Sequence, residues 1–145
     1  MAAPQRRWAA ELLHVWFEVL GPDDWFAPNP RVDAMLRRRF ARELRGLRRQ
    51  PARSFMDDPQ TALAAVLLFD QLPRNLYRGM PAAFAADPLA RAITRCALRR
   101  GWDRRLSPRQ RQFLAMPLQH SEDIADQRLA LAYFMRLGPR YGASF

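Results

Sequence analysis

ALAAVLLFDQLPRNLYRG, residues Ala62–Gly79, is the stretch that decides the fold. Eight apolar residues, Ala62–Phe69, run without interruption into Asp70, Gln71, Pro73, Arg74, Asn75 and Arg78. The apolar part reads as a buried helix. Such a helix ends in a polar string only where each charged group has an assigned partner, because an unpaired carboxylate or guanidinium is costly to desolvate. Asp70 and Arg74 stand four apart with the acid first, the favourable order for a helical ion pair. Pro73 gives no amide hydrogen and crowds the preceding turn, so a kink or stop is predicted there.

Working outward, helix starts are marked by Asx-Pro and Ser-Pro pairs. Asn29-Pro30, Asp58-Pro59, Asp87-Pro88 and Ser107-Pro108 each offer a capping side chain followed by proline at the first helical position. Gln110, three residues after Ser107, completes a capping box. Gly21, Gly46, Gly101 and Gly138 mark helix ends. These signals place helices near 6–20, 30–45, 59–72, 88–100, 108–115 and 121–137, and no segment alternates as a strand would. The expected fold is all-α, one domain over residues 1–145. The first three Asx-Pro starts are 29 residues apart, which suits antiparallel helical hairpins stacked in a tetratricopeptide-like array. Val32, Leu36, Phe40, Leu44 and Leu47 share one face of the second helix. Leu89, Ile93, Cys96 and Ala97 form the buried stripe of the fourth. Trp16-Phe17 and Trp25-Phe26, on either side of Gly21-Pro22, are expected in the core.

Composition bounds the function class. A chain of 145 residues, 49% hydrophobic, is long enough to bury a core. No apolar run approaches the roughly 18 residues that span a bilayer, and the N-terminal MAAPQRRWAAELL lacks the apolar segment of a secretion signal. The single Cys96 allows neither an intrachain disulfide nor a cysteine zinc cage, and the chain reads as cytoplasmic. All 24 basic residues are arginine and the net charge is +10. Residues 31–53 and 91–111 each carry a net +7, so the remainder of the chain is slightly acidic. One function class follows from these blocks: a nucleic-acid binder using Arg37, Arg38, Arg42, Arg45 and Arg49 on one helix with Arg91, Arg95 and Arg99 on another. Each stripe is equally an exposed helix face, and aromatic residues are not interleaved with it as a single-strand stacking platform requires.

A second polar string, FLAMPLQHSEDIADQ at Phe113–Gln127, holds His120 between a predicted break at Met116-Pro117 and a helix start at Ser121-Glu122-Asp123. If the two interruptions face each other, Asp70, Gln71, Arg74, Asn75, Arg78, His120, Glu122 and Gln127 line one pocket. Arg74 and Arg78 would hold an anion or carboxylate, Asp70 would orient them, and His120 with Glu122 would supply hydrogen bonds or proton transfer. The opposing reading is a polar knot that fixes a helix break and binds nothing. His120, Glu122, Asp123 and Asp126 match no ligand spacing, so no metal is expected. Nor is a cofactor expected, since the chain has no Walker loop, dinucleotide turn, G-x-S-x-G or H-E-x-x-H. The partner predicted is a protein, peptide or small anionic ligand, and a small enzyme using Asp70 and His120 is a further alternative.

Trp25-Phe26, Leu67–Gly79, Phe84 with Asp87, and MPLQHSEDIADQ at Met116–Gln127 together resemble the bacterial domain of unknown function family 924, over about residues 16–137. The resemblance implies an all-helical, tetratricopeptide-like fold and brings no substrate or cofactor. Members of that family continue with a segment rich in Phe, Gly, Arg, Pro, His and Asn, whereas this chain stops at GPRYGASF. If that segment closes the pocket, the resemblance implies a truncated or degenerate member, with no activity to be carried over from the family.

Overall fold

The computed structural model describes residues 3–141, so positions 1–2 of the N-terminal stretch and 142–145 of GPRYGASF lie outside the described residues. Helices α1 (Ala3–His14), α2 (Pro22–Trp25), α3 (Pro30–Leu47), α4 (Pro59–Val66), α5 (Leu72–Leu76), α6 (Asp87–Arg99), α7 (Pro108–His120) and α8 (Ile124–Leu137) follow in order. Short 3-10 turns at Ala52–Phe55, Pro81–Phe84 and Trp102–Arg105 connect some of them, and no strand occurs among the described residues. The all-α fold expected from the sequence is the fold observed. No helix among the described residues is long and apolar enough to cross a membrane.

The apolar run Ala62–Phe69 lies at the centre. All eight of its side chains are fully buried, and α4 is packed by α1, α6 and α7. α3 packs on α5, and Leu36, Phe40 and Leu44 of its apolar face are buried, as the sequence predicts, with Leu47 half-buried. On α6 the buried face is Ala90, Ile93, Thr94 and Ala97, so Cys96 and Leu89, expected in the core, are only half-buried. Gly46 does not end α3, which continues to Leu47. Gly101 does follow the end of α6, at φ 71°, a left-handed conformation that suits a residue without a Cβ.

Three of the four predicted caps form. Asn29 Oδ1 accepts from the amides of Arg31 and Val32, Asp58 Oδ1 from Thr61, and Ser107 with Gln110 makes the capping box. Asp87 is the exception. It sits inside the first turn of α6, and its carboxylate accepts both ends of the Arg74 guanidinium instead. A bidentate charged pair outcompetes a lone backbone amide for the same oxygens.

Both prolines expected to interrupt helices are carried through. Before Pro73 the chain widens into a π-turn at Leu67–Gln71, with Leu72 N bonded to Leu67 O, and then continues as α5. The widened turn shifts the bonding by one residue, which accommodates a residue with no N–H to give. Likewise α7 does not stop near residue 115 but runs through Pro117 to His120, so the break follows at 121–123.

Phe113 of α7 gathers the aromatic pairs of the N-terminal region. Its ring centroid lies 5.0 Å from Trp25, 5.6 Å from Trp16, 5.7 Å from Phe17 and 6.1 Å from Phe26. Trp25 Nε1 donates to Trp16 O at 2.9 Å, closing the loop through α2. Phe26 is half-exposed at the edge of this cluster.

Candidate functional site

Asp70 occupies the π-turn and has no exposed surface. His120 Nδ1 stands 2.8 Å from its Oδ1, and Gln71 Nε2 donates to its Oδ2 at 2.8 Å. Arg74 Nη1 lies 3.4 Å from the same Oδ1 and also donates to the Asp70 main-chain oxygen. With Asp70 as acceptor, Nδ1 carries the ring hydrogen, and in a neutral ring Nε2 is then the lone-pair nitrogen. The Arg74 fork closes on Asp87 at 3.0 and 3.2 Å while its guanidinium lies over the Phe84 ring, 5.2 Å from the centroid.

His120 and Arg74 line a cleft of about 940 Å³. One wall is α6, with Asp87, Arg91 and Arg95, and the other is the α7–α8 corner, with Ser121, Glu122 and Asp126. The corner is tightly bonded. Arg95 Nη2 reaches both oxygens of buried Asp126 at 2.7 and 2.6 Å, and Ser121 Oγ donates to Asp126 Oδ2 at 2.7 Å. Gln127 Nε2 donates to the main-chain oxygens of Gln119 and Ser121. Arg91 and Glu122, by contrast, have no hydrogen bond or ion pair among the described residues. Three guanidiniums (Arg74, Arg91, Arg95) face four carboxylates (Asp87, Glu122, Asp123, Asp126), so the cleft is nearly balanced in charge.

The Arg95 guanidinium holds the Asp126 carboxyl below the ordinary carboxylate range. Burial opposes this, and Ser121 and Arg91 add to the lowering. A lowered folded pKa contributes stability above the unfolded value of about 3.9 and loses it as pH falls through the folded value. Wild type is therefore expected to exceed Arg95→Gln in stability from neutral pH down to about 3.9. The gap should close at more acid pH, as read by urea unfolding across a pH series.

The two polar strings thus meet, but not all of their residues do. Asp70, Gln71, Arg74 and His120 share one network, with Glu122 on the cleft wall and Gln127 bracing the corner beside it. Asn75 and Arg78 turn away toward α3, where Asn75 Nδ2 donates to Asp33 at 2.9 Å and Arg78 binds both Asp33 oxygens at 3.1 Å. The anion clamp expected of Arg74 with Arg78 is therefore not formed: different carboxylates neutralise the two guanidiniums on different sides of α5. Asp33, Asp87, Ser121 and Asp126 were missed as partners. For Asp87 the signal was present but read as a cap. Arg91 and Arg95, expected on an open basic face, line the cleft at one helical turn from each other. Of the other residues in the basic set, Arg37 donates to Leu76 O at 2.7 Å, while Arg38, Arg42, Arg45, Arg49 and Arg99 are exposed.

The sequence profile of a family described as "Bacterial protein of unknown function (DUF924)" matches residues 12–144. Among solved structures, a protein of unknown function from Agrobacterium tumefaciens is similar, with a TM-score of 0.86 at 36% identity, over 92% of this chain and 75% of that one. No curated protein matches the sequence.

Proposed function

Since the chain belongs to the bacterial family of proteins of unknown function DUF924, its role has to be read from its own residues, and we propose that it is a small-ligand-binding module whose site is the cleft at His120. The observation that carries this reading is the Asp70–His120 pair. A carboxylate with no exposed surface is committed to Nδ1 of a ring that lines a cleft, leaving Nε2 without a protein partner among the described residues. Arg91 and Glu122, of opposite sign and without a hydrogen bond or ion pair among the described residues, stand in the same walls. A zwitterion suits this set: its acidic group pairs with Arg91, its ammonium with Glu122, and a polar hydrogen meets His120 Nε2. The helical stack that presents the cleft is, on this reading, of the tetratricopeptide-like kind, supported by hairpin-length connections such as residues 121–123 between α7 and α8.

The chain has only two histidines, which makes the test direct. In a titration with the standard amino acids followed by NMR, the His120 ring protons are expected to shift saturably at millimolar concentration or below. Those of exposed His14 on α1 should stay in place. Glu122→Gln should weaken the effect. If no amino acid moves the His120 resonances, or if acetate and ammonium each move them as strongly as a zwitterion does, the reading fails. The same 2.8 Å contact favours a second reading, in which His120 exchanges a proton at Nε2 while Asp70 stabilises the charged ring. Turnover of a bound amino acid, abolished in His120→Gln, would establish it.

A further inference from the structure

A second recess, of about 570 Å³, lies at the far end of α6, between the turn Trp102–Arg105 and α8. Its charge is not balanced. Arg99, Arg104, Arg111 and Arg136 all line it, and Asp103 is the single carboxylate among its lining residues. Asp103 is already engaged, accepting from the Tyr133 hydroxyl at 2.9 Å. Arg111 is also accounted for: it donates to the main-chain oxygens of Asp103, Leu106 and Arg104 and so braces the turn. Arg136 stands over the Tyr133 ring, 5.8 Å from its centroid. Arg99, Arg104 and Arg136 have no carboxylate within ion-pair distance among the described residues.

Guanidiniums held around one recess repel each other, and a bound anion removes that repulsion. The recess also has an apolar component. Leu98, Leu129 and Leu137 line it, and Leu129 remains 45% exposed. A solvated basic face needs no such surface, and a site for a bare inorganic ion gains nothing from it. Charge in excess beside apolar surface fits a ligand with both features, and the volume falls in the ordinary range for small-molecule sites.

We propose that this recess is a second binding site, for a small amphiphilic anion whose carboxylate or phosphate head pairs with Arg99, Arg104 and Arg136 and whose aliphatic body lies on Leu98, Leu129 and Leu137. It is separate from the His120 cleft and does not depend on what that cleft binds.

The test is an NMR titration of the whole chain with octyl phosphate and with octanoate, and with inorganic phosphate and octanol as the separated halves. Saturable shifts are expected in residues 98–104 and 129–137 with a Kd of about 1 mM or tighter, and at least about tenfold weaker binding of either half. Preference for octyl phosphate over octanoate, or the reverse, identifies the head. Leu129→Glu and the double variant Arg104→Gln, Arg136→Gln alter exposed side chains and should each weaken binding by about tenfold. His120→Gln should leave it unchanged. The double variant tests the site by itself if Leu129→Glu does not fold. Absence of saturable shifts, equal affinity for inorganic phosphate, or binding unaffected by both variants overturns the proposal. So does an oligoribonucleotide that binds through the same arginines, is indifferent to Leu129→Glu and leaves octyl phosphate unbound.

Discussion

Asp70→Ala is expected to lower the stability of the protein by about 3–5 kcal/mol, the cost of breaking a buried charge network from one side. For a domain of this size that corresponds to a fall in thermal midpoint of roughly 6–20 °C. The substitution removes the acceptor for His120 Nδ1 and Gln71 Nε2 and one of the acceptors of Arg74, all at a position with no access to water. His120→Ala should cost less, about 1–2 kcal/mol, because Asp70 keeps Gln71 and Arg74, and the histidine side chain is itself 24% exposed. Calorimetry on the two variants and their double mutant reads the coupling directly. A strong coupling between them would support a polar knot holding the π-turn against α7. A midpoint that is unchanged or raised in Asp70→Ala would show instead that the buried carboxylate is kept against stability, for the sake of the ring it orients.

Phe113→Ala is expected to have an effect of similar size, about 3–5 kcal/mol, for an entirely apolar reason. The Phe113 ring is fully buried and contacts Trp16, Phe17, Trp25 and Phe26, so its removal opens a cavity where α7 meets the N-terminal region. Urea unfolding should show a reduced midpoint. The emission of Trp16 and Trp25 should change already in the folded state, since both lose a ring neighbour. Phe113→Leu, which keeps most of the volume, should recover more than half of the loss. A variant that unfolds at the wild-type midpoint would show that the cluster is not part of the cooperative core.

The order of the six longer helices was legible because helices announce themselves locally, whereas the short α2 and α5 were not foreseen as separate helices. Asn29, Asp58 and Ser107 cap where a short polar side chain precedes a proline, and that chemistry needs no tertiary neighbour. The unbroken apolar run Ala62–Phe69 likewise required burial on every side. Pro73 and Pro117 misled for the converse reason. A proline reports the loss of one hydrogen bond, but whether the helix ends depends on what packs around it, and both prolines are enclosed in the core. Cys96 and Leu89 differ from expectation in the same way: the rotation of α6 is set by its contacts with α4 and α7, and the helical period alone places them only approximately.

The polar strings show the same division most sharply. That Asp70, Arg74 and His120 needed partners was determined by the sequence alone, since charged groups at the end of a buried helix cannot go unpaired. Which partners they took was not. Asp87 turned from a predicted cap to a bidentate acceptor for Arg74, Asp33 drew Asn75 and Arg78 to the opposite side of α5, and Asp126 took Arg95 out of the basic stripe. The sequence by itself determined the all-helical fold, the buried centre and the need of the two polar strings for partners, because these follow from propensity, capping and the cost of desolvation. Only the tertiary structure decided how the charges pair and which groups are left facing a cleft. An arginine is within reach of any carboxylate the fold brings to it, and that choice is made across 13 to 45 residues of chain and not within a helical turn.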